Sequence, residues 1–170
     1  MRLIILGAGG HGKVVADLAE QTGKYDEVCF LDDHSKDEQV IGKCSDFKKF
    51  KSQDTEMYPA FGNNKGRIEW ENKIVDAGIK IAKIIHPLAY ISSKAVVADG
   101  CVIMPYAMIN TGTVIKKACI INLGAIIDHD CLLEEGCHIA PNATVKGENH
   151  LPEGMKVDSG EVIPLQYYKN

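Results

Sequence analysis

Asp128-His129-Asp130 places one histidine between two carboxylates in the second half of the chain. An imidazole titrating near pH ~6.5 is suited to accepting a proton at neutral pH. A flanking carboxylate that takes the Nδ1–H fixes the tautomer and makes Nε2 more basic. The triplet therefore predicts a general base, against the plainer reading of a solvated surface histidine. A second group lies at the amino end. Gly7, Gly9 and Gly12 form GxGxxG, and Asp32 follows about twenty residues later, the spacing of a dinucleotide fingerprint. Glycines there let the backbone approach a phosphate, and a helix N-terminus beyond them favours negative charge. The same residues suit a nucleotide sugar, a nicotinamide dinucleotide or no more than a tight turn.

Two kinds of scaffold would hold these groups. RLIIL (2–6) reads as a buried strand, followed by a helix over 12–23 with Val14, Val15, Leu18 and Ala19 on one face and Gly23 at its end. EVCFLDD (27–33) and 57–62 are further strands, 64–77 is a second helix stopped by Gly78, and KIAKIIHP (80–87) is a last strand ended by Pro87. This alternation predicts an α/β domain with a parallel sheet over residues 1–87. The polar stretch 34–56 is left without an element. With a single mononucleotide-binding half and no separate domain for hydride chemistry, a nucleotide sugar is favoured over NAD.

From Ile91 the period changes to six. Aliphatic residues recur at Ile91, Val97, Ile103, Ile109, Ile115, Ile121, Ile127, Leu133, Ile139, Val145, Leu151, Val157 and Ile163. A small residue stands four places after each from Ile91 to Ile139, and glycine three places after at Gly100, Gly112, Gly124 and Gly136. Helices and ordinary strands lack this period, whereas a parallel β-helix of hexads has it. Residues 88–170 are therefore expected to form such a helix, aliphatic column inward. His129, two places after Ile127, points outward. Three hexads on stands Gly147, one coil up at about 4.8 Å. Its N–H could stabilise an oxyanion, or the glycine could simply turn the chain. After Gly147 the small slot holds Asn149, Met155 and Glu161, so the domain is expected to be cut short at its C-terminal end.

Four of the six cysteines occupy the small slot, where thiols act as compact apolar groups, and no CxxC occurs, so no metal is expected. A net charge of −4 argues against nucleic acid or an anionic membrane as partner. The opening apolar run is too short for a signal peptide or a span, which predicts a cytoplasmic protein with reduced thiols.

GAGGHG (7–12), FLDD (30–33), GNN with Arg67 (62–67), IHP (85–87), IMPYAMIN (103–110), INLGAIIDHDC (121–131) and HIAP (138–141) occur in that order. In these motifs the chain resembles the hexapeptide-repeat acetyltransferases that modify amino sugars on UDP, including the bacillosamine-pathway enzymes. It is also similar to the broader sialic acid O-acetyltransferase family. The resemblance implies a Rossmann-like domain followed by a left-handed β-helix, a homotrimer with its site between adjacent helices, and acetyl-CoA as donor. It implies His129 as catalytic base, Asp130 as its orienting partner (with Asp128 the alternative) and Asn122 as an active-site asparagine. His138 is implied beside the donor, and Gly147 N–H on the thioester carbonyl. The sugar diphosphate would lie near Gly10, His11 and Gly12, and uridine near Asp32, Asp33, Asn63 and Asn64. Plainer readings stand beside these: turn chemistry for Asp32 and Asp33, and an asparagine bonding its own turn for Asn122. His34 and His150 are expected to be solvated, and His86 to end a strand. The expected activity is acetyl transfer to an amine of a UDP-linked amino sugar. The alternatives are O-acetylation of a sialic-acid-like sugar and a non-catalytic nucleotide-sugar-binding trimer.

Overall fold

The computed structural model describes residues 1–169. Contacts divide the chain into two units, Met1–Ile84 and the remainder from Ile85.

The first unit is built on β1 (Arg2–Leu6), β2 (Glu27–Leu31), β3 (Val40–Gly42), β4 (Thr55–Pro59) and β5 (Lys80–Ile81), in the order β3-β2-β1-β4-β5. All of its pairings are parallel. β1 is central and Leu3 to Leu6 are fully buried, the burial expected of a parallel strand covered on both faces. Two helices connect the strands, α1 (Gly10–Gln21) and α2 (Asn64–Asp76). α1 buries Val15, Leu18 and Ala19, an i, i+3, i+4 stripe, and this register turns Val14 outward to 48% exposure. The expectation that Val14 joins the apolar face is thus corrected. The stretch 34–56 supplies edge strand β3 and a 3₁₀ helix, Cys44–Phe50, whose Cys44 and Phe47 join the core beside Trp70. KIAKIIHP is not one strand. Its first part is β5, its later part is β6 (Ile84–Ile85), and β6 pairs with Val102–Ile103 of the repeat.

The repeat forms three parallel sheets with every partner eighteen residues away. The first face stacks β7 (Tyr90–Ile91), β10 (Met108–Ile109), β13 (Ile126–Ile127), β16 (Thr144–Val145) and β19 (Val162–Ile163). The second stacks β8 (Val96–Val97), β11 (Val114–Ile115), β14 (Leu132–Leu133) and β17 (His150–Leu151). The third stacks β6, β9 (Val102–Ile103), β12 (Ile120–Ile121), β15 (His138–Ile139) and β18 (Lys156–Val157). The aliphatic column from Ile103 to Ile163 fills the interior, with Ile91 and Val97 of the first coil partly buried against it.

Each corner from Gly100 onward has a left-handed residue three places after the aliphatic one, whether or not it is glycine. Gly100, Gly112, Gly124 and Gly136 have φ of 62–76°, and Tyr106, Ala118, Asp130, Asn142, Glu148 and Gln166 have φ of 52–60°. The coil imposes the conformation, and glycine lowers its cost. The same corners recur past Gly147, so the changed small slot does not end the register. Asn149 is buried there. Its Nδ2–H donates to Lys146 O (2.7 Å) and Pro164 O (2.9 Å), and its Oδ1 accepts from Tyr168 N–H (2.8 Å). Hydrogen bonds replace the small apolar side chain of other coils.

Candidate active site

In the first unit the candidate nucleotide residues meet at the carboxyl ends of adjacent strands β2, β1 and β4, where open parallel sheets bind ligands. Gly7 (φ 103°) makes the turn after β1, and a Cβ on Gly12 would stand 1.9 Å from Gly7 O, so helix and loop pack too closely for any side chain. A Cβ on Gly9 or Gly10 would meet nothing within 4 Å. The protein's own packing does not require glycine there; an approaching phosphate would. Gly9 caps α1 without a side-chain hydrogen bond, at the positive end of the helix dipole. His11, half-buried in that turn, meets the Tyr58 ring edge-on at 6.3 Å.

Asp32 has its lone pairs largely committed. Oδ2 accepts from Ala8 N–H (2.8 Å), and Oδ1 from His34 N–H (2.8 Å) and Ser35 N–H (2.7 Å). The Ala8 bond first, then the other two, holds its pKa below the ordinary carboxylate value. Asp32 thereby fastens the glycine loop to the end of β2. Asp33 Oδ1 accepts from Cys44 N–H (3.2 Å), Asn63 caps α2 by accepting from Gly66 N–H (2.8 Å), and Asn64 Oδ1 accepts from Arg67 (2.9 Å). Arg67, fully buried, also donates to Phe61 O (3.1 Å) and so ties down the loop after β4.

In the second unit His129 follows β13 at a corner. Its Nδ1 lies 3.0 Å from Asp130 Oδ2, and its side chain is 39% exposed. The left-handed backbone of Asp130 belongs to the same corner. The Asp130 hydrogen bond, more than the surrounding charges, raises the His129 pKa above the usual imidazole value. Gly147 lies one coil above, against the other side of the ring. A Cβ there would come within 2.6 Å of Nε2 and 2.8 Å of Cε1. Gly147 is outside the set of left-handed corner residues, the turn in its coil being made at Glu148. Its lack of a side chain makes room for the imidazole, which replaces the turn reading.

Asn122 and His138 stand on the third face, one coil apart. Asn122 Oδ1 accepts from Leu123 N–H (2.8 Å), which turns Nδ2 toward His138 Nε2 at 3.2 Å. Nε2 of His138 is therefore the acceptor and its ring proton sits on Nδ1. Asn122 both bonds its own turn and holds this histidine. The first-face pair His129–Gly147 and the third-face pair Asn122–His138 remain separate groups within one chain. His150 is not simply solvated: its Nε2 lies 2.8 Å from Glu134, which also pairs with Lys116 at 2.6 Å. His86 is buried, and its Nδ1 accepts from Leu88 N–H (3.0 Å).

Sequence reasoning passed over Asn110 and gave Asp128 only as the alternative orienting partner of His129. Asp128 Oδ1 accepts from His129 N–H (2.7 Å) and from Asn110 Nδ2 (3.1 Å), and Asp128 Oδ2 is 4.0 Å from His129 Nε2. The available signal was the eighteen-residue step from Asn110 to Asp128, which stacks them in one column. Among the described residues no cluster of His, Cys, Asp and Glu suits a metal ion, and no helix is long and apolar enough to cross a membrane.

Residues 2–74 match the family described as the PglD N-terminal domain. The acetyltransferase domain of PglB from Neisseria gonorrhoeae FA1090, solved in complex with acetyl coenzyme A, is 36% identical. That alignment covers 97% of this chain and 82% of the other, with a TM-score of 0.93. PerB from Caulobacter crescentus, solved in complex with CoA and GDP-perosamine, is 21% identical over 97% of this chain and 93% of its own, with a TM-score of 0.56. WeeI from Acinetobacter baumannii AYE is 16% identical over 95% and 88%, with a TM-score of 0.65. At those identities PerB and WeeI speak for the fold alone.

Proposed function

The chain belongs to the hexapeptide-repeat sugar N-acetyltransferase family, and from that membership we propose that it transfers acetyl from acetyl-CoA to an amine of a UDP-linked amino sugar. The observation that carries this reading is the His129 imidazole, held at Nδ1 by Asp130 with its Nε2 against the Gly147 backbone. The sugar amine attacks the thioester carbonyl while Nε2 accepts its proton. Gly147 N–H faces the carbonyl oxygen as charge develops, and the thiolate departs without a covalent enzyme intermediate. Most of the acceleration then comes from positioning two substrates beside one base. The diphosphate lies at Gly10, His11 and Gly12. Uridine lies by Asp33, Asn63 and Asn64, with Asp32 holding the loop that cradles it. Asn122 and His138 serve the donor.

Since His129–Gly147 and Asn122–His138 occupy different faces, a site using both is assembled from neighbouring copies, which supports a homotrimer. The exposed Tyr90, Val96 and Met108 on outward columns offer apolar surface for that assembly. A cytoplasmic location suits six free cysteines, all buried. Acetyl transfer measured against UDP- and GDP-linked amino sugars tests the reading, with turnover of a UDP-linked amine expected. Thermal stabilisation by UDP-sugars but not by acetyl-CoA, with no acceptor acetylated, would replace it with the nucleotide-sugar-binding module.

A further inference from the structure

Asp128 is placed differently from Asp130, although both flank the same histidine. Oδ1 of Asp128 is taken by the His129 N–H and by Asn110. Oδ2 stands 4.0 Å from His129 Nε2, too far for a hydrogen bond between them, so it does not orient the ring. Asp130 already does that from the Nδ1 side. What Asp128 Oδ2 and Nε2 form is a pair of acceptors on the reactive edge of the imidazole, with the Asp128 side chain 38% exposed.

A nitrogen about 2.9 Å from both atoms would bridge that gap with two N–H donors. A hydroxyl has one proton and can satisfy only one of the two. An amine arriving as its ammonium form also brings charge opposite to the carboxylate. We propose that Asp128 Oδ2 and His129 Nε2 together form the subsite for the acceptor nitrogen, and that Asp128 selects a sugar amine over a sugar hydroxyl. This rests on the reading of His129 as the base of an acetyl transfer. The acceptor nitrogen enters with three protons and keeps one in the amide. The first leaves to water by way of Nε2 before attack. As the C–N bond forms and the C–S bond breaks, the second passes through the same atom to the departing thiolate. The His129 N–H first, then the Asn110 amide, hold the Asp128 pKa below the ordinary carboxylate value, which keeps it anionic throughout.

Asp128→Asn tests this, because the amide keeps an oxygen for the two Oδ1 donors and turns Oδ2 into a donor that opposes an N–H. Calorimetry would compare a UDP-amino sugar with the UDP-sugar carrying a hydroxyl at the same carbon. The wild type is expected to bind the amine about tenfold more tightly, and Asp128→Asn to bring the two within about twofold while UDP alone binds as before. Asp128→Glu, which keeps the charge, should retain part of the preference and guards against a fold defect in the amide variant. Asp130→Asn should lower turnover yet leave the binding preference intact. If the preference survives in Asp128→Asn, or if both acceptors weaken equally there, the subsite is wrong even when the enzyme acetylates amines. If the preference depends on Asp128 but no acceptor is acetylated, the subsite stands and the transfer reading falls.

Discussion

A methyl group at position 147 would stand 2.6 Å from His129 Nε2, closer than real Cβ atoms approach any neighbour. The backbone at Gly147 is not left-handed, so alanine is tolerated by the chain and the clash falls on the ring. Gly147→Ala should therefore lower kcat by about 10²-fold or more, as a displaced base does, with little change in melting temperature. A stability loss without a rate loss would make the glycine a packing feature only. Asp130 sets the pH behaviour. It is the first cause of the raised His129 pKa, so Asp130→Asn should move the rising limb of kcat/KM to lower pH and reduce the plateau. The sign for stability follows. A raised folded pKa adds stability below the unfolded imidazole value of about 6.5, lost as pH rises through the folded value. Melts on either side of neutrality should show that dependence weakened in Asp130→Asn. That Gly147 stacks over His129 was legible because a period of six makes eighteen-residue spacing a direct statement of adjacency. Which flanking carboxylate takes Nδ1 was not, because both neighbour His129 in sequence; the family resemblance favoured Asp130, and the structure puts Asp130 at Nδ1.

Among the elements, the β1–α1 loop depends on a side chain of β2's end. Asp32 holds Ala8 N–H, and the resulting low pKa means its stabilisation is present above the unfolded carboxylate value and lost as pH falls through the folded one. Asp32→Ala should cost about 1–3 kcal/mol in a urea melt and weaken UDP binding together with it. Lost affinity at unchanged stability would instead make Asp32 a direct ligand contact. The fingerprint spacing marked this residue but not its duty, since a carboxylate on a ribose and one on a loop N–H share the same sequence. The stretch 34–56 hid its elements for another reason. β3 is three residues at a sheet edge and the next turn is a 3₁₀ helix, and neither leaves a period to read. KIAKIIHP looked like one strand because its apolar run is continuous, whereas β5 and β6 serve different sheets.

For the whole molecule, the two kinds of sequence period correspond to two contact units, and the repeat's register carries on through β19. Assembly lay beyond the sequence, because outward residues at hexad positions look alike whether they meet water or another copy. Sedimentation should give a trimer, and Met108→Glu, which puts a charge on an outward apolar column, should shift it toward monomer with loss of activity. A fully active wild-type monomer would contradict a site shared between copies. The most direct test of the central claim is the rate of acetyl transfer to a saturating UDP-amino sugar by wild type and His129→Ala at about pH 7. The account predicts kcat lower by about 10²–10⁴ with nucleotide affinity nearly unchanged, because the loss falls on the transition state. An undiminished kcat in His129→Ala would contradict it.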